Sequence, residues 1–296
     1  MFLIYKMKFF SLFLLVSQFL SVNSYLSVPS VKRYTRDING SPIKVYEPKN
    51  IDKKETHSVI FFTGGNAIIT SEVYTNFLSK LANQGIAVFI SPHNLEKSDD
   101  LFETISQEYL DVTNIGHSSG AVIAIKNANQ NKEIKNCVLL DPVNSDQLFN
   151  SFRLPTIPFI ENNDQKPLKF KYIKDVLVLN AKKSYEWKLF PPTIPFVPAF
   201  KMETEELVKD NVNINLIEAE KFGHSDILNP MWSDIMHKTI SKGSDDRDET
   251  VLDEYHQWLA STIRKFIYNQ HDPSIITPVD NALFPSDYEN ENIEIL

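Results

Sequence analysis

The chain has 296 residues, of which 42% are hydrophobic and 23% charged, and a formal net charge of -8. That balance fits a soluble globular protein with a sizeable core and excludes the basic stripe a nucleic-acid partner needs. Its single cysteine, Cys137, excludes an intrachain disulfide, and without a Cys cluster a structural zinc site has no support.

The first 24 residues, MFLIYKMKFFSLFLLVSQFLSVNS, carry Lys6 and Lys8, an apolar run from Phe9 to Val22, and then Ser24. This is the order of a secretory signal peptide, and the apolar run is short for a membrane span. The next segment, YLSVPSVKR, is basic and contains Ser but no acid. It resembles the bipartite presequences of algae with complex plastids, so the expected destination is such a plastid or the cell exterior. Removing the leader leaves about 270 residues, enough for one large domain or two small ones.

The globular pattern starts at Lys32. RYTRDINGSPIKVYEP has two alternating runs around Asn39-Gly40, a hairpin signal because both residues tolerate positive φ. SVIFFTG, Ser58 to Gly64, is the continuous apolar run of a strand buried on both faces. From Ser71, Val73, Phe77, Leu78 and Leu81 have helical spacing, with Ser71 as a cap and Gly85 as a stop. IAVFISP is a second buried strand, Asp99 to Leu110 a helix, DVTNIG a third strand, AVIAIKNANQN a helix and NCVLLDP a fourth strand. Asp175 to Ala181 and Asn213 to Glu220 supply the fifth and sixth strands, and ETVLDEYHQWLASTIRKFIYNQ closes with a long amphipathic helix.

Strands alternating with helices predict an α/β domain over residues 25–270, with a mostly parallel sheet covered on both faces. Residues 142–174 and 181–201 break the alternation with prolines and large aromatics, as lid-like insertions. The tail, 271–296, is polar and acidic and reads as loosely attached.

Gly116-His117-Ser118-Ser119-Gly120 fits G-x-S-x-G between a predicted strand and a predicted helix. In that setting the pattern is a nucleophile elbow, which projects the Ser118 hydroxyl from the sheet's carboxyl edge at a helix N-terminus. Without this context the same string is a Gly/Ser turn with Ser118 as a helix cap. A serine nucleophile needs a base. Of the seven histidines, His224 sits in a loop just past the last core strand, where its ring can reach Ser118. His57, His93 and His117 precede or adjoin the serine, and His237, His256 and His271 fall in later segments. For the orienting acid, Asp141 at the end of CVLLDP ranks first, with Glu186 and Asp146 behind it. Oxyanion donors are expected from the Ser119 N–H and from the Gly64-Gly65 turn, through Gly65 or Asn66. No phosphate-binding glycine motif is present.

The order strand–GG, strand, strand–GHSSG–helix, strand–DP, strand, strand–GH resembles an α/β-hydrolase over nearly all of residues 55–268. Within it, VIFFTGGNAIITSEVYTNFLSKLANQGIAVFISPH, GHSSGA, LLDPVNS, FPPTIPFVP and EKFGHSDILN resemble segments of chlorophyllases. That resemblance implies a triad of Ser118, Asp141 and His224, no cofactor or metal, and release of phytol from chlorophyll. It implies a hydrophobic, chlorophyll-like ester as partner, bound beside Trp187, Phe190 and Phe196, and leaves peripheral membrane contact open. Three positions depart from the family. Thr63-Gly64 replaces its His-Gly, Ser119 its elbow Arg, and Asn144 a second acid. The rival readings are a generic secreted carboxylesterase or lipase of the same fold, and a catalytically silent hydrolase fold used as a binding module.

Overall fold

Positive φ at two successive residues makes a two-residue hairpin turn. Asn39 (φ 49°) and Gly40 (φ 74°) join β1 (Val31–Ile38) to β2 (Ser41–Pro48). The Gly40 N–H donates to Asp37 Oδ1 at 3.0 Å, and Ile38 faces Ser41 in register. The computed structural model describes residues 31–65, 69–92, 95–143, 170–186, 188–189, 194–195, 212–239, 244, 248–268 and 293–295. The expected leader and most of the two expected insertions lie outside the described residues.

The apolar runs form the sheet. β3 (Ser58–Phe62), β4 (Ala87–Ile90), β5 (Val112–His117), β6 (Asn136–Leu140) and β7 (Asp175–Ala181) are the expected strands, β7 with the expected bounds and the others within two residues of theirs. β8 (Lys188–Leu189) and β9 (Ile194–Pro195) form a separate antiparallel pair among the described residues. β10 (Asn213–Ala219) is the last parallel strand, and β11 (Ile293–Ile295) adds an antiparallel edge. The spatial order is β1-β2-β4-β3-β5-β6-β7-β10-β11, parallel from β4 to β10. Ile293–Ile295 pair with β10, within the stretch whose composition suggests a loose tail and of which 271–292 lie outside the described residues. Ile293 and Ile295 are β-branched on either side of Glu294, a pattern suited to a short strand.

Alternation along these strands feeds two cores, one per face. Phe61, Val88, Ile115, Val138 and Leu177 pack with α1 (Thr75–Asn83) and α5 (Glu249–Tyr268). Ile60, Phe62, Phe89, Leu139 and Val178 pack with α2 (Leu95–Ser106) and α3 (Gly120–Gln130). A further helix, α4 (Pro230–Thr239), begins on proline, whose fixed φ suits a first helical position.

Two helices depart from the sequence reading by four residues at a boundary. Ser71 opens a 3-10 turn, Ser71–Tyr74, and the α-helix starts at Thr75. α2 covers Leu95–Ser106, so Asp99 lies inside it. There Asp99 accepts from Asn127 at 2.8 Å and Asn131 at 2.7 Å, and Asn127 accepts from the fully buried Asn114 of β5 at 2.9 Å. This polar ladder ties α2 and α3 to the strand that precedes Ser118. The helix stops short of Leu110 because Tyr109 turns inward to donate to the buried Glu47 at 2.5 Å.

His256 on α5 is fully buried, and its Nε2–H donates to the Asp226 carbonyl at 2.9 Å. Burial holds its pKa down at about 4. The unfolded chain takes up that proton near pH 6.5, before the folded one does. The associated stability is therefore present above pH 6.5 and is lost as pH falls toward 4, a change of about 3 kcal/mol. Urea midpoints at pH 7 and pH 4.5 should show this fall. The difference should shrink in His256→Gln, whose amide can still donate to the same carbonyl.

Candidate active site

The backbone at Ser118 is in the left-handed region, with φ 56°. A non-glycine residue there costs about 1–2 kcal/mol, so the surroundings must hold it. The two flanking glycines make this geometry fit. A Cβ at Gly116 would sit 2.5 Å from Ala121 Cα, and one at Gly120 would sit 2.4 Å from the Phe62 carbonyl oxygen. Helix α3 therefore lies against β5 and β3 with no room for a side chain. The Ser118 N–H donates to Leu140 O at 3.0 Å, and the Ser118 carbonyl accepts from Ala121 at 3.1 Å and Val143 at 3.2 Å. The elbow is thus bonded to the end of β6 as well as to its own helix.

Asp141 repeats the device one strand away, with φ 44°. Its N–H donates to Leu179 O at 2.7 Å, which anchors it to β7. Carboxylate Oδ1 accepts from the Ala181 N–H at 3.1 Å and the Ser184 hydroxyl at 2.9 Å. Oδ2 accepts from His224 Nδ1–H. The other ring nitrogen, His224 Nε2, lies 2.9 Å from Ser118 Oγ and accepts a hydrogen bond from it. Asp141, His224 and Ser118 are each at most 8% exposed, so this hydrogen-bonded series runs with little competition from water. Leu140, Leu179, Ile227 and Leu259 share a small pocket with the Asp141–His224 pair and keep its surroundings apolar.

The loop bearing His224 is fixed by a carboxylate the sequence reading passed over. Asp226 is fully buried; its Oδ2 accepts the N–H of Gly223 at 2.8 Å and of Ser244 at 2.7 Å, and its Oδ1 accepts the Ser233 hydroxyl at 2.8 Å. Its place two residues after the histidine in GHSD was the available signal. Ser184 and Tyr74 were also missed, because neither lies in a motif.

Gly65 (φ 64°) sits in the turn after β3, and Ser119 directly precedes α3. The Gly64 N–H donates to Tyr74 Oη at 3.1 Å, which leaves Gly65, among the described residues of the turn, as the candidate for donation to a ligand. Thr63 stands where the chlorophyllase pattern has histidine; its hydroxyl donates to Ile69 O at 2.8 Å and closes the turn. Glu186, an alternative acid, ends a 3-10 turn, Lys182–Glu186. Asn66, Asp146, Trp187, Phe190 and Phe196 lie outside the described residues. Among the described residues, no group of three or more His, Cys, Asp or Glu could hold a metal ion. No described helix is long and apolar enough to cross a membrane.

The chain has the α/β-hydrolase fold, as comparison with solved structures shows. A thermostable esterase from Pseudomonas putida matches with a TM-score of 0.53 at 14% identity, over 84% of this chain and 88% of that one. An esterase from Pyrobaculum calidifontis matches with 0.52 at 16%, over 88% and 91%. An esterase structure from Rhizomucor miehei matches with 0.52 at 15%, over 83% and 86%. Neither a protein-family model nor a curated protein sequence matches the chain.

The strain at Ser118 has a measurable signature. Ser118→Gly should be more stable than Ser118→Ala by about 1 kcal/mol, because glycine alone adopts positive φ without a Cβ penalty. Equal urea midpoints for the two variants would remove the strain from the account.

Proposed function

We propose that this protein is a serine carboxylic-ester hydrolase. The observation that carries the proposal is the buried series Ser118 Oγ, His224 Nε2, His224 Nδ1, Asp141 Oδ2 at the carboxyl edge of a parallel sheet. Ser118 Oγ attacks the ester carbonyl carbon while His224 Nε2 takes its proton. Asp141 holds the Nδ1–H tautomer and stabilises the cation that forms. The N–H groups of Ser119 and Gly65 receive the developing oxyanion. His224 then protonates the departing alcohol, and water, deprotonated by the same ring, releases the acid from Ser118. No metal or organic cofactor enters these steps.

The esterases of the same fold support the class of reaction by analogy only, since one fold hosts many chemistries. The finer reading is chlorophyllase-like: a hydrophobic ester, with phytol as the alcohol, acting near a membrane in a plastid or outside the cell. Its support is the string of motif resemblances, GHSSGA, LLDPVNS and EKFGHSDILN. A generic carboxylesterase is the competing reading, because Thr63, Ser119 and Asn144 depart from the chlorophyllase pattern.

Purified protein given p-nitrophenyl butyrate and chlorophyll side by side separates these readings. Turnover of both is expected; turnover of the short ester alone leaves the generic esterase. Ser118→Ala should lose about 10⁴-fold or more in kcat and all fluorophosphonate labelling. Labelling as strong as the parent's would show that the nucleophile lies elsewhere. Asp141→Asn should lower kcat by about 10²- to 10⁴-fold. Glu186→Gln and Asp146→Asn should stay close to the parent, and the reverse ranking would move the acid.

A further inference from the structure

His117 precedes the elbow serine and takes no part in the proton path, yet it is almost completely buried. Its Nδ1 lies 2.8 Å from Tyr74 Oη, and its Nε2 lies 3.1 Å from the backbone carbonyl of His224. A carbonyl can only accept, so Nε2 carries the proton and donates. Nδ1 is then an acceptor, and the Tyr74 hydroxyl donates to it. The Tyr74 oxygen in turn accepts the Gly64 N–H at 3.1 Å. Every bond in this series has a fixed direction. It runs from the turn after β3, through the 3-10 turn before α1, to the elbow, and on to the loop after β10. It joins the three segments that carry the oxyanion turn, Ser118 and His224.

A second clamp strengthens the same junction. The Asn229 N–H donates to Val73 O at 2.6 Å, Asn229 Nδ2 donates to Glu72 O at 2.8 Å, and the Asn76 N–H donates to Asn229 Oδ1 at 2.9 Å. The end of the His224 loop is thereby fastened to the residues on both sides of Tyr74. The fit around Gly64 is equally close. A Cβ there would lie 3.0 Å from Ser118 Cβ, 3.1 Å from His117 Nδ1 and 3.2 Å from Tyr74 Oη.

We infer that Tyr74 and His117 are positioning residues for ester hydrolysis, setting the oxyanion turn and the His224 loop in register with Ser118 through a neutral, Nε2-protonated imidazole. The inference rests on the esterase reading. Charging the ring would put a second proton at Nδ1, facing a hydroxyl that already donates there. The Tyr74 hydrogen would then have to turn away from its only acceptor in the series. Burial, with His224 alongside, agrees with this by holding the His117 pKa down at about 3.

Tyr74→Phe removes the hydroxyl and keeps the ring that packs against Phe61. With p-nitrophenyl butyrate, its kcat should fall about 10- to 100-fold while KM changes less than about threefold, because alignment in the transition state is lost rather than ground-state binding. The assay is run well below the melting midpoint of every variant, so that a change in the folded fraction cannot produce the loss. His117→Gln, whose amide can accept from Tyr74 and donate to the His224 carbonyl, should recover most of the activity that His117→Leu loses. A kcat for Tyr74→Phe within about twofold of the parent, or equal losses in the two His117 variants, overturns the inference. If the parent itself fails to turn over the ester while Tyr74→Phe is still well folded, it is the esterase reading that falls. A readout independent of turnover is nitrogen NMR of the histidine-labelled full chain. At pH 7 the ring of His117 should be neutral with the proton on Nε2, and a cationic or Nδ1-protonated ring overturns the inference whatever the activity.

Discussion

The site depends on two residues held in a backbone conformation that their side chains disfavour. Ser118 and Asp141 sit at the carboxyl ends of adjacent parallel strands, both at positive φ. An extended strand that ran on through either position would carry the side chain past the sheet edge. The left-handed turn stops the strand abruptly and directs the side chain to the edge. The elbow needs glycines on both sides because the helix comes within van der Waals contact of the strands. At Asp141 the same turn is held by a backbone bond to β7 and followed by Pro142. The local strain is offset by packing and hydrogen bonds that the rest of the domain supplies.

Proximity alone would not make the imidazole useful. A histidine loop between a strand and a helix has many conformations, and only a few place Nε2 on Ser118 Oγ. Buried polar groups restrict it from three directions: Asp141 fixes the ring, Asp226 fixes the backbone around it, and His117 binds its carbonyl. Each group has specific directional partners, and leaving any of them unpaired in the interior would cost about 1–3 kcal/mol. The active geometry and the stability of this edge of the domain are therefore coupled. A substitution in the second layer is expected to disturb both.

Periodicity made the fold legible. Continuous apolar runs gave β3, β4, β6 and β7, because strands buried on both faces need no polar alternation, and Asn39-Gly40 gave the hairpin. Chain order and the elbow motif led to Ser118 and His224, and the structure brings both to Asp141. Helix boundaries were less legible, because tertiary bonds moved them: Asp99 reads as the start of a helix but accepts from two asparagines inside it, and Tyr109 leaves the helix for Glu47. The supporting residues were the hardest to see. Tyr74 reads as one more aromatic on a helix, and Ser184 as one more serine in a turn. Their importance comes from the partners that folding brings, separated by 43 residues in each case.

The position of the acid shows why spacing alone ranked it with others. The usual place for the acid in this fold is the end of β7, where the chain instead has Asn180. Asp141 lies one strand earlier, yet β7 still takes part. The Ala181 N–H and the Ser184 hydroxyl, both just past the strand's end, bind Oδ1 and leave Oδ2 directed at the ring. With the carboxylate at the end of β6, the end of β7 supplies the donors that orient it. Oδ1 has donors whose positions the β6–β7 pairing sets, so the carboxylate plane is fixed by the sheet. The end of β7 therefore orients a carboxylate carried at the end of β6, and the two strand ends act together on the His224 ring.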